Sequence, residues 1–235
     1  MTDNDAPASG ERKTDPEVQA GIGRVMEALE EGRAQDALAA TQALFEQFPD
    51  HPDPYHMLGV LLLRGGRPDQ AAEALRRSSA IDPELPGVHY NLALALAAMG
   101  QRDDALAALE RAIGLKPEHT DAHAARGKLL AALGRHDEAE TSWRRAAELR
   151  PGDPALLGGV ANAQLSLGRA AEALEELEGA LASHPDADEL ALLKARALEA
   201  MEGPAAALAW LEDGQRGDAV ASERERLAAL VNRSH

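Results

Sequence analysis

The sequence contains no cysteine, only 3% aromatic residues and few lysines, and it has no long apolar run. Without cysteine, the chain can form neither disulfides nor thiolate metal sites, and it has no cysteine nucleophile. Apolar segments such as LGVLLL at 58–63 are too short to span a bilayer, so we expect no membrane insertion. Lysine occurs only at Lys13, Lys116, Lys128 and Lys194. The sequence therefore has no polybasic segment that could bind nucleic-acid phosphates.

The chain is strongly acidic, with a formal net charge of −16 and a pI of about 4.9. Such a surface repels nucleic acids and anionic membranes, and we expect neither as a partner. The first residues, MTDNDAPASGERKTDPE, are polar and lack the apolar core of a secretory signal. We expect residues 1–16 to form a disordered acidic arm and the protein to be cytoplasmic.

Alanine and leucine supply most of the apolar content, whereas valine, isoleucine, phenylalanine and tyrosine are sparse. The abundant residues are the best helix formers, and the scarce ones are those that favour strands. The composition therefore predicts an all-α chain.

A fixed interval of 34 residues runs through the chain without insertion or deletion. It relates three series of residues: Gly32, Gly66, Gly100, Gly134 and Gly168; Pro49, Pro83, Pro117, Pro151 and Pro185; and Ala37, Ala71, Ala105, Ala139, Ala173 and Ala207. Self-similarity at this period is the sequence signature of a solenoid, in which each repeat buries its apolar face on its neighbours.

The stretch YNLALALAAMGQRDDALAALERAIGLKP, residues 90–117, shows what one repeat contains. Apolar residues at helical spacing, ending at Met99, predict a first helix, and Gly100 predicts a left-handed stop. Asp103 and Asp104 suit the first turn of a second helix, where the helix dipole favours acids. Pro117 prevents that helix from continuing. Each repeat is therefore predicted to be a pair of antiparallel helices, closely packed at the recurrent alanine.

The pattern resembles the tetratricopeptide repeat (TPR) family. The second repeat carries most of the family's pattern, with Tyr55, Leu58, Gly59, Gly66, Ala71, Leu75 and Pro83. The resemblance implies an all-α right-handed superhelical solenoid over residues 17–214, with repeats near 18–51, 52–85, 86–119, 120–153, 154–187 and 188–214. Apolar residues at helical spacing in the tail predict a capping helix at 217–233 that covers the last repeat.

The resemblance also implies a binding surface, because the first helices of TPR proteins line a concave groove. Transferred position by position, the groove would include Ile22, Met26, His56, Val60, Leu63, Arg64, Tyr90, Leu94, Lys128, Asn162 and Arg196. Tyr90 lies in the middle of this series. The N-terminal members are mostly apolar, whereas Lys128, Asn162 and Arg196 form a polar row.

This pattern suggests a partner peptide or helix with apolar anchors at one end and an acidic group at the other. The alternative is structural: the apolar residues would pack between neighbouring first helices, and the basic residues would pair with nearby acids.

No catalytic or metal-binding arrangement stands out. His119 and His123 have a spacing that suits a metal on a helix, but the first falls in a turn and the second at a packing position of the repeat. Gly21 and Gly23 lie in a helical pattern and do not follow a strand, so they do not predict a phosphate loop. We therefore expect no enzymatic activity, no cofactor and no metal.

Taken together, these observations suggest a non-enzymatic bacterial adaptor or scaffold that binds a partner protein, with a monomer favoured. Two alternatives remain open. One is an accessory or regulatory subunit of a bacterial enzyme or of an envelope or secretion assembly. The other is a scaffold that self-assembles through its repeat faces.

Overall fold

Helices dominate the computed structural model, which describes residues 15–213 and 220–233. Within these ranges there is no β-strand, and no helix is long and apolar enough to cross a membrane. The expected arm at 1–16 lies outside the described residues except for Asp15, which caps the first helix, and Pro16, which begins it. The described chain divides into two compact units, one up to Gln101 and one from Arg102.

Each unit is a series of helices joined by short turns. The first unit contains α1 (Pro16–Glu30), α2 (Ala34–Gln47), α3 (Pro52–Arg64), α4 (Pro68–Ile81) and α5 (Pro86–Ala98). The second contains α6 (Arg102–Leu115), α7 (Thr120–Ala132), α8 (His136–Leu149), α9 (Pro154–Ser166), α10 (Ala170–Ser183), α11 (Asp188–Glu202), α12 (Pro204–Asp213) and α13 (Ala221–Arg233). The limits proposed for the repeats and the solenoid stay predictions.

The turn inside each hairpin depends on a glycine with a left-handed backbone. Gly66 has φ 68° and Gly134 has φ 74°, values that residues with a Cβ adopt only with strain. The amide of the next residue then reaches back to the fifth residue before it. Arg67 N donates to Leu62 O, and Arg135 N donates to Leu130 O, both at 2.9 Å. Gly100 has the same geometry, with φ 76°, which confirms the predicted left-handed stop.

The recurrent alanine of each second helix is where the helices pack most closely. All six members of the series are fully buried, with 0% exposure: Ala37, Ala71, Ala105, Ala139, Ala173 and Ala207. A methyl side chain lets neighbouring helices approach with no bulky group between them. The full burial of all six alanines is what the predicted helix contact at this position requires.

Met99 departs from the expected apolar stripe. It is 39% exposed, although Val88 and Leu96 of the same predicted stripe are buried. The reason is local, because Met99 is the C-cap residue of α5 and lies beyond the last helical turn. Its side chain therefore does not lie on the buried face of the helix.

Helix α13 covers the end of the second unit. Val220 and Leu227 are fully buried in a cluster with Leu211 of α12. Arg224 Nη2 donates to the carbonyl oxygen of Leu211 at 2.9 Å, close to the end of α12. The capping helix expected at 217–233 thus corresponds to α13, whose described part begins at Val220, while residues 214–219 lie outside the description.

Candidate functional site

Three residues of the predicted polar row line one cavity in the second unit. Lys128 lies on α7, Asn162 on α9 and Arg196 on α11, so three successive first helices each contribute one side chain. The cavity has a volume of about 660 Å³. Its other lining residues are Ala131, Trp143, Ala155, Gly158, Gly159, Glu189, Leu192, Leu193 and Glu223.

The two basic residues of this cavity differ in their partners. Arg196 Nη1 donates to Asn162 Oδ1 at 3.0 Å, linking neighbouring first helices. Lys128 is exposed and has no carboxylate within ion-pairing distance in the part of the chain that the structure describes. The ammonium of Lys128 is therefore available for an external anion, while Arg196 is held in place by an amide.

Two carboxylates also line the cavity. Glu189 lies in the first turn of α11, and Glu223 lies in the first turn of α13. Hydrogen bonds from Arg226 hold the pKa of Glu223 below its ordinary value, so its charge is largely balanced. The site is thus mixed in charge and not purely basic, because the capping helix and the start of α11 bring acids that the row itself lacks.

The indole of Trp143 reaches the cavity from a second helix, α8. Two glycines make this possible, Gly127 on α7 and Gly159 on α9. A Cβ at Gly127 would lie 2.9 Å from the indole, and one at Gly159 would overlap it. Because both glycines lack side chains, the indole fits between the two first helices. Trp143 stands at the position of Leu75, two intervals of 34 residues later, and the two glycines opposite it were the available clue that its side chain reaches the cavity.

In the first unit, His56 makes the most specific contact of the predicted groove residues. Its Nε2 lies 2.8 Å from the side-chain amide nitrogen Nδ2 of Asn91, one repeat further along the chain. Burial lowers the pKa of His56 below its ordinary value, partly opposed by the charge of Asp53. The neutral imidazole can accept the amide hydrogen at Nε2, so the bond and the pKa shift agree.

Several other predicted groove residues of the first unit pack internally. Ile22 and Met26 contact the cluster around Val25, and Leu63 contacts the cluster around Leu75. Arg64 Nη1 donates to the carbonyl oxygen of Leu29, near the C-terminus of α1, at 3.1 Å. The structural alternative thus accounts for part of the series.

The remaining members, Val60, Tyr90 and Leu94, are half-buried on α3 and α5. Binding of a partner protein by the predicted groove residues stays a prediction.

The two histidines with metal-like spacing make structural contacts. His119 is the N-cap of α7, where its Nδ1 accepts from the amide of Ala122 at 3.4 Å. His123 Nε2 lies 2.9 Å from the carbonyl oxygen of Pro117. Among the described residues, no group of three or more potential ligands is arranged to hold a metal ion.

Comparison with known families gives a consistent result along most of the chain. Two models described as tetratricopeptide repeat match the sequence, one at residues 28–95 and 130–197 and the other at 90–154. No curated protein matches.

Solved structures of several TPR-like proteins are similar to this chain. PilF of Pseudomonas aeruginosa is 18% identical, with a TM-score of 0.76 over 90% of this chain and 96% of its own. TTC0263, a thermophilic TPR protein in Thermus thermophilus, is 27% identical, with a TM-score of 0.60 over 77% and 98%. YrrB, described as a TPR protein with an unusual peptide-binding site, is 22% identical, with a TM-score of 0.61 over 74% and 90%. These likenesses bear on the fold, an all-α TPR solenoid.

Proposed function

Because the chain belongs to the tetratricopeptide repeat family, we propose that it is a non-enzymatic adaptor that holds a segment of a partner protein. TPR repeats form scaffolds for protein–protein interaction, and TPR proteins are in general not catalytic. The second unit offers the anchoring point, in the cavity lined by Lys128, Asn162 and Arg196.

One observation carries this proposal: three first helices converge on a single cavity whose Lys128 has no ion-pair partner in the described chain. Lys194 shows the alternative, because its ammonium pairs with Glu178 at 3.0 Å. Arg196 shows a different arrangement, because its bond to Asn162 fixes the guanidinium at the cavity wall. The cavity thus combines one free cation with one oriented cation.

The lining also defines the chemistry of the bound segment. Trp143 and Leu192 supply half-buried apolar surface next to the two cations. A segment with an apolar side chain beside a carboxylate would match both features. Glu189 would reject a segment with further acids on that side, because like charges repel at short range.

Charge reversal at the cavity tests the proposal directly. We expect Lys128→Glu to weaken partner binding by about tenfold, because it replaces an attraction with a repulsion. Lys116→Glu is the matched control, since it makes the same charge change in the turn between α6 and α7, outside the cavity. The measurement is quantitative affinity capture from cells of the source organism, scored for proteins whose recovery falls with the first variant only.

Tryptophan fluorescence then gives a readout of the cavity itself. The chain has two tryptophans, so Trp210→Phe leaves Trp143 as the single reporter. A peptide from a captured partner should change the emission of Trp143 on binding and should fail to do so in the Lys128→Glu background. If capture and emission are the same for Lys128→Glu and Lys116→Glu, the cavity is not the binding site.

A further inference from the structure

A second cavity lies between the two helices of the second repeat, on residues that the proposed adaptor function does not use. We name it the α3–α4 cavity, and it has a volume of about 730 Å³. It is lined by Tyr55, Leu58, Leu62, Arg67, Gln70, Glu73, Ala74, Arg76, Arg77 and Ala80. None of these residues belongs to the predicted groove series.

One wall of the α3–α4 cavity is apolar and fixed in position. Tyr55 packs edge-on against Phe45 of α2, with 4.9 Å between the ring centroids and 88° between the ring planes. Leu58 and Leu62 follow Tyr55 along α3 at helical spacing and are only half-buried. This wall can therefore accept an apolar side chain without rearrangement of the helices.

Three arginines surround this apolar wall. Arg67, Arg76 and Arg77 are all exposed, and in the described chain none has a carboxylate within ion-pairing distance. The guanidinium carbon of Arg77 lies 6.0 Å from the centroid of the Tyr55 ring, a cation–π distance. Glu73 is the single acid among the lining residues, so three positive charges face one negative charge in a chain of net charge −16.

The ion pairing of the two arginine positions on the second helix differs between the second and fourth repeats. Arg144 and Arg145 occupy the same positions in the fourth repeat, two intervals of 34 residues later, and both are ion-paired. In the fourth repeat acids on the same helix and on a neighbouring helix neutralise the two arginines, whereas at the α3–α4 cavity the single lining acid, Glu73, is beyond ion-pairing distance of Arg76 and Arg77 in the described chain.

We infer that the α3–α4 cavity docks an acidic segment of a partner protein, with an apolar side chain against Tyr55, Leu58 and Leu62 and carboxylates against the three arginines. Charge complementarity selects this occupant, since the cavity is positive where the rest of the protein is strongly negative. The apolar wall adds a requirement that a simple anion does not meet. This surface is separate from the Lys128 cavity, so either inference can fail without the other.

A defined peptide pair tests the inference. The probe is a fluorescein-labelled synthetic peptide with leucines at every third or fourth position and glutamate elsewhere, and its control has glutamine in place of glutamate. We expect the full chain to bind the glutamate peptide about tenfold more tightly than the glutamine peptide in fluorescence anisotropy, with the difference falling at high salt.

Three variants locate the site. Arg76→Gln with Arg77→Gln should weaken binding of the glutamate peptide by about tenfold, since two charge contacts are removed at once. Arg144→Gln with Arg145→Gln is the matched control at the same positions of the fourth repeat and should change binding by less than about twofold, because both arginines are already paired. Lys116→Glu, a charge reversal outside both cavities, should leave binding equally unchanged. Since Arg76 and Arg77 are exposed, the first variant is expected to keep its melting temperature.

Each other outcome overturns the inference. Equal binding of the two peptides removes the charge argument, and loss of binding in Lys128→Glu alone assigns the peptide to the other cavity. Binding of a labelled oligothymidine, but not of the peptide, through Arg76 and Arg77 would assign these arginines to nucleic acid. Size exclusion can separate wild-type dimers from monomers. If the monomers bind the peptide and the dimers do not, the surface is assigned to a second copy of the chain.

Discussion

The second and fourth repeats place two arginines at the same positions, yet only those of the fourth repeat are neutralised. In the fourth repeat, Arg144 Nη2 donates to Glu140 Oε1 at 3.0 Å, and Arg145 Nη1 donates to Glu148 Oε2 at 2.9 Å. The positions of those two acids are occupied in the second repeat by Ala72 and Ala80. The backbone hairpin is shared, so the difference lies in a few side chains.

The apolar wall of the second repeat is also replaced by polar groups in the fourth. Arg126 stands at the position of Leu58 and donates to Ser142 Oγ at 2.8 Å. Ser142 in turn replaces Ala74, and His123 replaces Tyr55. The cavity between α7 and α8 is smaller, about 480 Å³, and its polar groups bond to one another.

The same helical hairpin can thus carry a surface whose polar groups bond to one another, or a surface with unpaired cations beside apolar groups. Conserved repeat positions fix where a side chain stands, because they set the helix packing. Glu140, one turn before Arg144, and Glu148, one turn after Arg145, neutralise the arginines of the fourth repeat, and Glu176 of α10 lies 3.8 Å from Arg144. Three further changes test this view.

The largest expected effect concerns what the two repeats share, a large side chain at the same position of the second helix. In the second repeat this is Leu75, which is fully buried opposite Gly59, where a Cβ would lie 2.5 Å from Leu75 Cγ. Leu75→Ala should lower the free energy of unfolding by about 3 kcal/mol, since it removes buried apolar surface and leaves a cavity. Urea unfolding followed by circular dichroism measures this.

Leu38→Ala is the control for that change, because Leu38 is 54% exposed in α2. It should alter the free energy of unfolding by no more than about 0.5 kcal/mol. If the two variants unfold at the same urea concentration, the shared packing position does not stabilise the hairpin as the structure indicates.

A smaller effect is expected where the repeats differ, at Glu140. Its carboxylate accepts hydrogen bonds from Arg144, Arg169 and Gln164, and its side chain is only 13% exposed. Glu140→Ala introduces the residue that the second repeat has at Ala72. It should cost about 1–2 kcal/mol of unfolding free energy, because charged hydrogen bonds in a half-buried network are lost.

Glu148→Ala provides the comparison for this change. Its carboxylate is exposed and pairs with Arg145 alone in the described chain, so the expected cost is below about 0.5 kcal/mol. Equal costs for the two variants would show that Glu140 is no more than a surface acid. Glu140→Ala also leaves Arg144 without its nearest carboxylate and should increase binding of the glutamate peptide to the fourth repeat.

The smallest expected effect is a pH dependence. Burial lowers the pKa of His56 in the second repeat, and burial, with the charge of Lys116, lowers the pKa of His119, which caps α7 at the end of the third repeat. The unfolded chain therefore binds more protons than the folded chain as pH falls below the ordinary value of 6.5. The contribution of the neutral imidazoles to the free energy of unfolding should be fully present above that pH. It should decrease as pH falls through that value toward the lowered pKa values.

Thermal melts between neutral and mildly acidic pH measure this dependence. His56→Gln should reduce the slope, because glutamine cannot be protonated, and His56→Gln with His119→Gln should reduce it further. A slope in the double variant as steep as in the wild type would mean that neither imidazole is held neutral in the folded protein.

Much of the architecture was accessible from the sequence, because it depends on residues that act locally. The left-handed turn at Gly100 and the buried alanine at Ala105 are properties of one or two residues, repeated at a fixed interval. The site was accessible only in part. Lys128, Asn162 and Arg196 were predicted to form one row and do line one cavity, whereas Glu223 reaches it from a helix outside the repeats. No periodicity marks such a residue.

A series of helical hairpins with glycine turns and buried alanines follows from the sequence, since short-range sterics and apolar spacing specify a hairpin. Which charged groups find a partner on another helix depends instead on tertiary packing. Arg76 and Arg144 are the same residue at the same repeat position, and Lys128 and Arg196 belong to the same row. Arg196 bonds to Asn162 of α9, and Arg144 lies 3.8 Å from Glu176 of α10, so packing of the helices sets these two distances.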